Sequence, residues 1–152
     1  MHPYPHRYRV TATGERVGDV SLTTEHAESL RSAPPLEFDG PGDLWSPESL
    51  LVASVADCFV LTFRGIARGA RVSLSHLECV VVGTLERIES VTQFTRFDVD
   101  ADLCIADPAD EEKARQALLK AERTCLIANS LKGPVSLRMN IRIARPAQEP
   151  AA

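Results

Sequence analysis

The segment from Ser46 to Gly69, "SPESLLVASVADCFVLTFRGIARG", constrains the fold more than any other. Ser46 is a favoured N-cap residue. Pro47 suits the first helical position, where its missing N–H is no loss, and Glu48 meets the positive end of the helix dipole. The pattern predicts a helix running to about Arg68 and ending near Gly69. Leu50, Leu51, Val52, Ala53, Val55, Ala56, Phe59, Val60, Leu61 and Phe63 point in nearly every direction around it. A helix apolar on all sides is buried, so this one is expected at the centre of the fold. Asp57 and Cys58 nevertheless sit in its middle. An unpaired buried carboxylate is costly, so that part of the helix must reach water or a cation.

The flanking sequence reads mostly as strands. Tyr8 to Thr13 alternates, "TGERVG" is a hairpin turn, and Val20 and Leu22 suit a returning strand. Glu25 to Leu44 loses the pattern and predicts a long loop with one short strand near Leu36 to Phe38; loops of that length are often functional. Ser75 to Glu86 and Thr92 to Ile105 are strand-like, joined by a turn at "RIES". Leu77, Cys79, Val81 and Leu85 share a face of the first, and Phe97, Val99, Ala101, Leu103 and Ile105 share one of the second. Asp107 caps a second helix with Pro108 as its first residue and a stripe of Ala114, Ala117, Leu118 and Ala121. A break near Arg123 and Thr124 precedes a short helix carrying Cys125, Leu126 and Asn129. Val135 to Ile143 alternates and reads as a last strand, and residues 145–152 read as a flexible tail. Runs of strands separated from helices indicate an α+β fold, with N-terminal strands, a long buried central helix, an antiparallel sheet and C-terminal helices, here one domain over residues 1–152.

A net charge of −4 argues against a general nucleic-acid binder. The N-terminal "MHPYPHRYRV" lacks the apolar core of a signal peptide, and the apolar run from Leu50 to Phe63 is too short to span a bilayer. A cytoplasmic location without membrane contact is the expectation.

The four cysteines are too few for a disulfide scaffold in a chain this long. Their spacings, all about twenty residues, are poor for a zinc site even with His26 or His76. No metal or cofactor is expected. Cys79 falls on an apolar strand face and reads as core, and Cys104 has no assigned role. Cys58 is either a small core residue or a reactive thiol, with Arg64 and Arg68 further along the helix as cations that favour a thiolate. Cys125 is either packed beside Leu126 and Ile127 or, if exposed, a thiolate favoured by Lys120, Arg123 and Lys132.

Glu48 stands ten residues before Cys58. On a helix that is about 15 Å of rise and roughly 80° of difference in direction. Glu48 therefore cannot touch the Cys58 of its own chain. Either it serves only the helix dipole, or a loop group bridges the two, or it reaches a site of a second subunit.

"SPESLLVASVADCF" resembles the "NPEQL…ACF" segment of the OsmC/Ohr family, the osmotically inducible and organic hydroperoxide resistance proteins, with the same Glu-to-Cys spacing. "CLIANSLKGPVSLRMNI" is similar to the family's second cysteine segment, in which Asn follows Cys by four residues. "TATGERVG" resembles its first hairpin. The resemblance implies an intertwined α+β homodimer that reduces organic hydroperoxides. By it, Cys58 is the peroxidatic thiolate and Cys125 the resolving thiol. Arg16 would hold the thiolate, with Arg31 as a rival, and Glu48 of the partner subunit would orient that arginine. A dithiol, such as lipoyl groups on a protein, would be the reductant. Phe59, Phe38 and Trp45 would receive the alkyl part of the peroxide. Two positions depart from the pattern. Asp57 stands where the family has a small residue, and "CLIAN" stands where the hydroperoxide-resistance branch has "CPYSN". The competing reading is a dimeric binding protein for a small apolar ligand whose thiols are idle.

Overall fold

Phe97, Val99, Ala101, Leu103 and Ile105, the alternate residues of one strand, are all buried and mark the inner face of a sheet. The structure, a computed structural model, describes residues 2–144; the tail expected at 145–152 lies outside them. The chain forms two compact units, Met1–Leu51 and Val52–Ala152.

The first unit is an antiparallel meander of β1 (Val10–Gly14), β2 (Val20–Thr24) and β3 (Leu30–Ser32), in that order. The first strand begins two residues later than expected. The following loop holds β3, which the sequence pattern did not signal, and a 3-10 turn rather than a strand at Leu36–Phe38. The Gly40 N–H donates to Pro35 O at 2.9 Å. A Cβ at Gly40 would lie 1.6 Å from Pro34 O, so only glycine lets the loop close this tightly.

Helix α1 spans Pro47–Ala70. Its start is a reciprocal cap: the Ser49 N–H donates to Ser46 Oγ at 3.1 Å, and the Ser46 N–H donates to Ser49 Oγ at 2.8 Å. Serine here takes the place of the usual glutamate of a capping box. The buried residues of α1 are Val55, Phe59, Phe63 and Ala67, spaced four apart on one stripe. The apolar character on its other faces is only partly covered by the rest of the chain, and Leu61 is 54% exposed. With 24 residues, α1 is longer than the apolar run read from the sequence and meets the length and hydropathy of a bilayer span. Its buried stripe belongs to the core of the fold.

The second unit contains β4 (Leu74–Ile88), β5 (Val91–Ile105), α2 (Glu111–Thr124) and β6 (Val135–Ile143), with sheet order β4-β5-β6. Glu89 and Ser90 make the tight turn between β4 and β5, both with positive φ (47° and 71°). A register shift between Thr84 and Leu85 explains why Leu85 is more exposed than Leu77, Cys79 and Val81, with which the alternation grouped it. The sheet is mixed rather than wholly antiparallel, because β6 pairs parallel to β5. A parallel neighbour needs a crossover, and α2 supplies it. A 3-10 turn, Pro108–Asp110, precedes α2, so Asp107 caps that turn, its Oδ1 accepting from the Ala109 N–H at 2.9 Å. Ala114, Ala117, Leu118 and Ala121 are buried as the periodicity requires. Together with the α1 stripe and the inner face of β5 they make the core.

Candidate thiol site

Two elements of the second unit bring sulfur to one place. Cys58 lies beside the buried stripe of α1 and is half-buried. Cys125 follows the last residue of α2 in an extended conformation, φ −62° and ψ 114°, and is 1% exposed. The expected short helix begins only at Ala128, as a 3-10 turn over Ala128–Ser130, and Cys125 stands before it. Both cysteines are free thiols, and they lie close enough for each to act on the ionisation of the other. Residues 67 positions apart in sequence thus meet in space.

Their environments push them in opposite directions. Burial works against a thiolate at Cys58. It is outweighed by hydrogen bonds from the Ile127 N–H, the Cys125 thiol, the Thr62 hydroxyl and the Leu126 N–H, which carry the Cys58 pKa below its ordinary value. Thr62 Oγ1 lies 3.9 Å from Cys58 Sγ, one helical turn along α1. Burial pushes the Cys125 thiol up. The N–H groups of Ala128 and Ile127 oppose that, and the neighbouring Cys58 adds to the rise. The pair thus divides into the more ionisable, more exposed thiol and a buried, protonated one. Cys79 on β4 is half-buried, and burial, with contributions from Cys125 and Asp100, raises it to about 11.

The turn that carries Cys125 is closed by its own bonds. The Asn129 N–H donates to Cys125 O at 3.0 Å and the Ser130 N–H to Ile127 O at 2.9 Å. The Asn129 side-chain amide reaches back to Arg123 O at 3.1 Å, and Ser130 Oγ donates to Leu126 O at 2.8 Å.

The groups acting on Cys58 belong to α1 and this turn, so neither Arg64 nor Arg68 is among them. Asp57 is exposed and is also not among them; on a helix its side chain points about 100° away from that of Cys58. It makes no ion pair among the described residues, and its exposure meets the expectation that this part of the helix reaches water. Lys120, Arg123 and Lys132 do not draw Cys125 toward a thiolate, because that thiol is buried.

The remaining predicted residues lie in the first unit. Arg16 is exposed in the turn of the β1–β2 hairpin. Its rival Arg31 is engaged, with Nε 2.5 Å from Asp19 Oδ2. Glu48 is in the first turn of α1, and its Oε2 is buried with no hydrogen-bond partner among the described residues. Phe38 and Trp45 are half exposed, whereas Phe59 is buried and is core rather than a lining residue. No cluster of three metal-ligating side chains exists among the described residues. Sequence reasoning missed Thr62 and the backbone N–H groups of Leu126, Ile127 and Ala128. The four-residue spacing from Cys58 was a legible signal for Thr62; backbone donors have none.

Residues 40–140 match the family model for the OsmC-like protein. An uncharacterized protein of Bacillus subtilis, YmaD, is 21% identical over 112 residues, covering 72% of this chain and 75% of that protein. An OsmC-like protein of unknown function from Vibrio cholerae superposes with a TM-score of 0.83 at 16% identity, over 90% of this chain and 100% of that one. An organic hydroperoxide resistance protein OsmC from Legionella pneumophila does so with a TM-score of 0.69 at 24% identity, over 92% of this chain and 99% of that one.

Proposed function

Since the chain belongs to the OsmC-like protein family, we propose that it is a thiol-dependent peroxidase that reduces organic hydroperoxides, with Cys58 as the attacking thiolate and Cys125 as the resolving thiol. The observation that carries this reading is the opposite displacement of two adjacent free thiols, one toward the thiolate and one toward the neutral form. A peroxidase needs that division: the thiolate is the nucleophile, while the second thiol must wait. That the similar Legionella protein is named an organic hydroperoxide resistance protein agrees with it.

In the first step the Cys58 thiolate attacks the terminal oxygen of the hydroperoxide. The O–O bond breaks, the alkoxide leaves and takes a proton as the alcohol, and Cys58 becomes a sulfenic acid. The Cys125 sulfur then attacks Cys58, its proton leaves with the hydroxyl as water, and a disulfide forms. A dithiol reductant returns both sulfurs to thiols and is itself oxidised to a disulfide.

The reading includes a homodimer, and two observations support it. The most apolar stretch of α1 has a mean hydropathy of 1.8, yet only 22% of its residues are fully buried within one copy and most of the others are half-buried, which leaves apolar surface for a second copy to cover. The Glu48 Oε2 is buried without a partner among the described residues, and a buried carboxylate calls for a cation. Arg16 of a second copy is the group we assign to it, as the bridge from Glu48 to the thiolate.

Steady-state peroxide consumption tests the roles. Cys58→Ser should fall to the uncatalysed background. Cys125→Ser should consume about one equivalent and stop, because the sulfenic acid forms but no disulfide follows. Consumption by Cys58→Ser at the wild-type rate sinks the mechanism.

A further inference from the structure

The arginines that follow Cys58 on α1 do not act on that thiol and are left without a task. Arg64, Arg68 and Arg71 succeed one another at spacings of four and three, so they share one face. Arg31, Arg96, Arg115, Arg138 and Arg142 each pair with a carboxylate. Arg64, Arg68 and Arg71 make no ion pair among the described residues. Like charges one turn apart oppose a helix. The negative end of the helix dipole offsets this for Arg68, in the last turn, and for Arg71 just past it. Arg64 lies well before Ala70, the end of α1, and is beyond the reach of that field.

Arg64 and Arg68 border a hollow of about 650 Å³ that Leu61, Val72, Ser73 and Leu74 also line. One wall is α1, and the other is the chain turning back from it. Arg71 has φ 57°, its N–H donates to Arg68 O at 3.2 Å, and the Val72 N–H donates to Ala67 O at 2.9 Å. These are the paired bonds of a Schellman reversal, with arginine where glycine is usual. The next residue is tied to the approach to α2. The Ser73 N–H donates to Asp110 Oδ2 at 2.9 Å, and Ser73 Oγ accepts from the Asp107 N–H at 2.9 Å. Both walls are therefore fixed before anything binds. Leu61 is exposed and Val72 and Leu74 are half-buried, so apolar surface lies beside the two cations. A hollow of this size with a few polar groups is in the range of small-molecule sites. Asp110 has both oxygens engaged, by Ser73 and Lys113. Asp57 stands seven residues before Arg64, about 10 Å along the helix, on the far side of Leu61.

We propose that this hollow binds an amphiphilic anion, an alkyl carboxylate or alkyl phosphate. The forked guanidinium groups of Arg64 and Arg68 hold the oxygens of its head. Its chain lies on Leu61, Val72 and Leu74. Leu61 and Arg68 are seven residues apart, about 10 Å of helix, which a chain of about eight carbons spans. The site is separate from the thiol pair, and the proposal holds whether or not those thiols reduce peroxides.

Calorimetric titrations of the whole protein with octanoate, octanol and inorganic phosphate read the site. Octanoate should bind once per chain, and more weakly as salt is added, because the cations that hold it are open to solvent. Octanol lacks the charge and phosphate lacks the chain, so each should bind about tenfold more weakly than octanoate, or worse. Arg64→Gln with Arg68→Gln should weaken octanoate by about tenfold and leave octanol unchanged. Both arginines are exposed, so the double variant keeps its core. Absence of octanoate binding overturns the proposal. So does equal octanoate affinity in wild type and double variant, or octanol binding as tightly as octanoate. A rival use of the two arginines is a carboxylate of a second copy. Light scattering of the double variant separates the two: an unchanged mass supports a ligand site, and a fall to a smaller species assigns the arginines to an interface and overturns it.

Discussion

Adding one methyl group at Gly83 tests how closely α1 lies on the sheet. Gly83 is in β4, and a Cβ there would be 2.7 Å from Val52 Cγ2 of α1 and 2.8 Å from Phe94 Cε1 of β5. Carbon atoms in contact prefer about 3.5–4.0 Å, so both neighbours must retreat. Overpacking of this kind costs about 1–3 kcal/mol. An opposing effect comes from the unfolded chain, where alanine is less free than glycine; this stabilises the variant by about 0.4–1 kcal/mol. The clash outweighs it, leaving Gly83→Ala less stable by about 0.5–2 kcal/mol. For 152 residues the unfolding entropy is about 0.3 kcal/mol/K, so the melting temperature should fall by about 2–6 °C. Circular dichroism melts of wild type and variant read this directly. Val52→Ala in the Gly83→Ala background should recover part of the loss, because it removes one of the two obstructing groups. A variant as stable as the wild type, or a loss that Val52→Ala does not relieve, would refute the close approach of helix and sheet.

Other perturbations probe separate parts of the fold. Asp110 is buried, and it accepts hydrogen bonds from Lys113 Nζ and the Ser73 N–H, both at 2.9 Å. Lys113 first and Ser73 next hold its carboxyl at about 2, below an ordinary 3.8. A depressed carboxyl stabilises the fold above the unfolded value, and that stability is lost as the pH falls through the folded value. The melting-temperature advantage of wild type over Asp110→Asn should therefore be full at neutral pH and shrink between about pH 4 and pH 2; an advantage constant over that range contradicts the assignment. At the β4–β5 turn, Glu89 and Ser90 both have positive φ, which Asn and Gly adopt at less cost. Glu89→Asn with Ser90→Gly should raise stability by about 0.5–1 kcal/mol in urea unfolding, and a loss of stability would mean that the turn is not of this type.

The parts of the fold that the sequence revealed are those whose signal is local. Ser46 and Pro47 mark the start of α1, and Val135 to Ile143 is β6 to the residue, because caps and strict alternation act over a few positions. The parallel direction of β6 left no trace, since a period of two reads the same both ways. β3 is only three residues long, too short for any period to show. The bulge at Thr84 and Leu85 changed which face Leu85 occupies without changing the pattern of residue types. In the site, the types of the two thiols were legible, but their meeting came from the resemblance rather than from spacing. The N–H groups of the turn could not be read at all, because every residue but proline carries one. Asp57 looked out of place in an apolar helix; the structure leaves it exposed to solvent, and it is not among the groups that act on Cys58.

The central claim is that Cys58 and Cys125 act as one redox pair. Reduced protein treated with one equivalent of an organic hydroperoxide, then alkylated and digested, gives the direct reading. The account predicts the loss of two thiols together and a peptide pair joined by an intramolecular Cys58–Cys125 disulfide, with Cys79 and Cys104 alkylated. An unchanged thiol count would contradict it and favour a binding protein with idle thiols, as would oxidation of Cys58 alone with Cys125 still free.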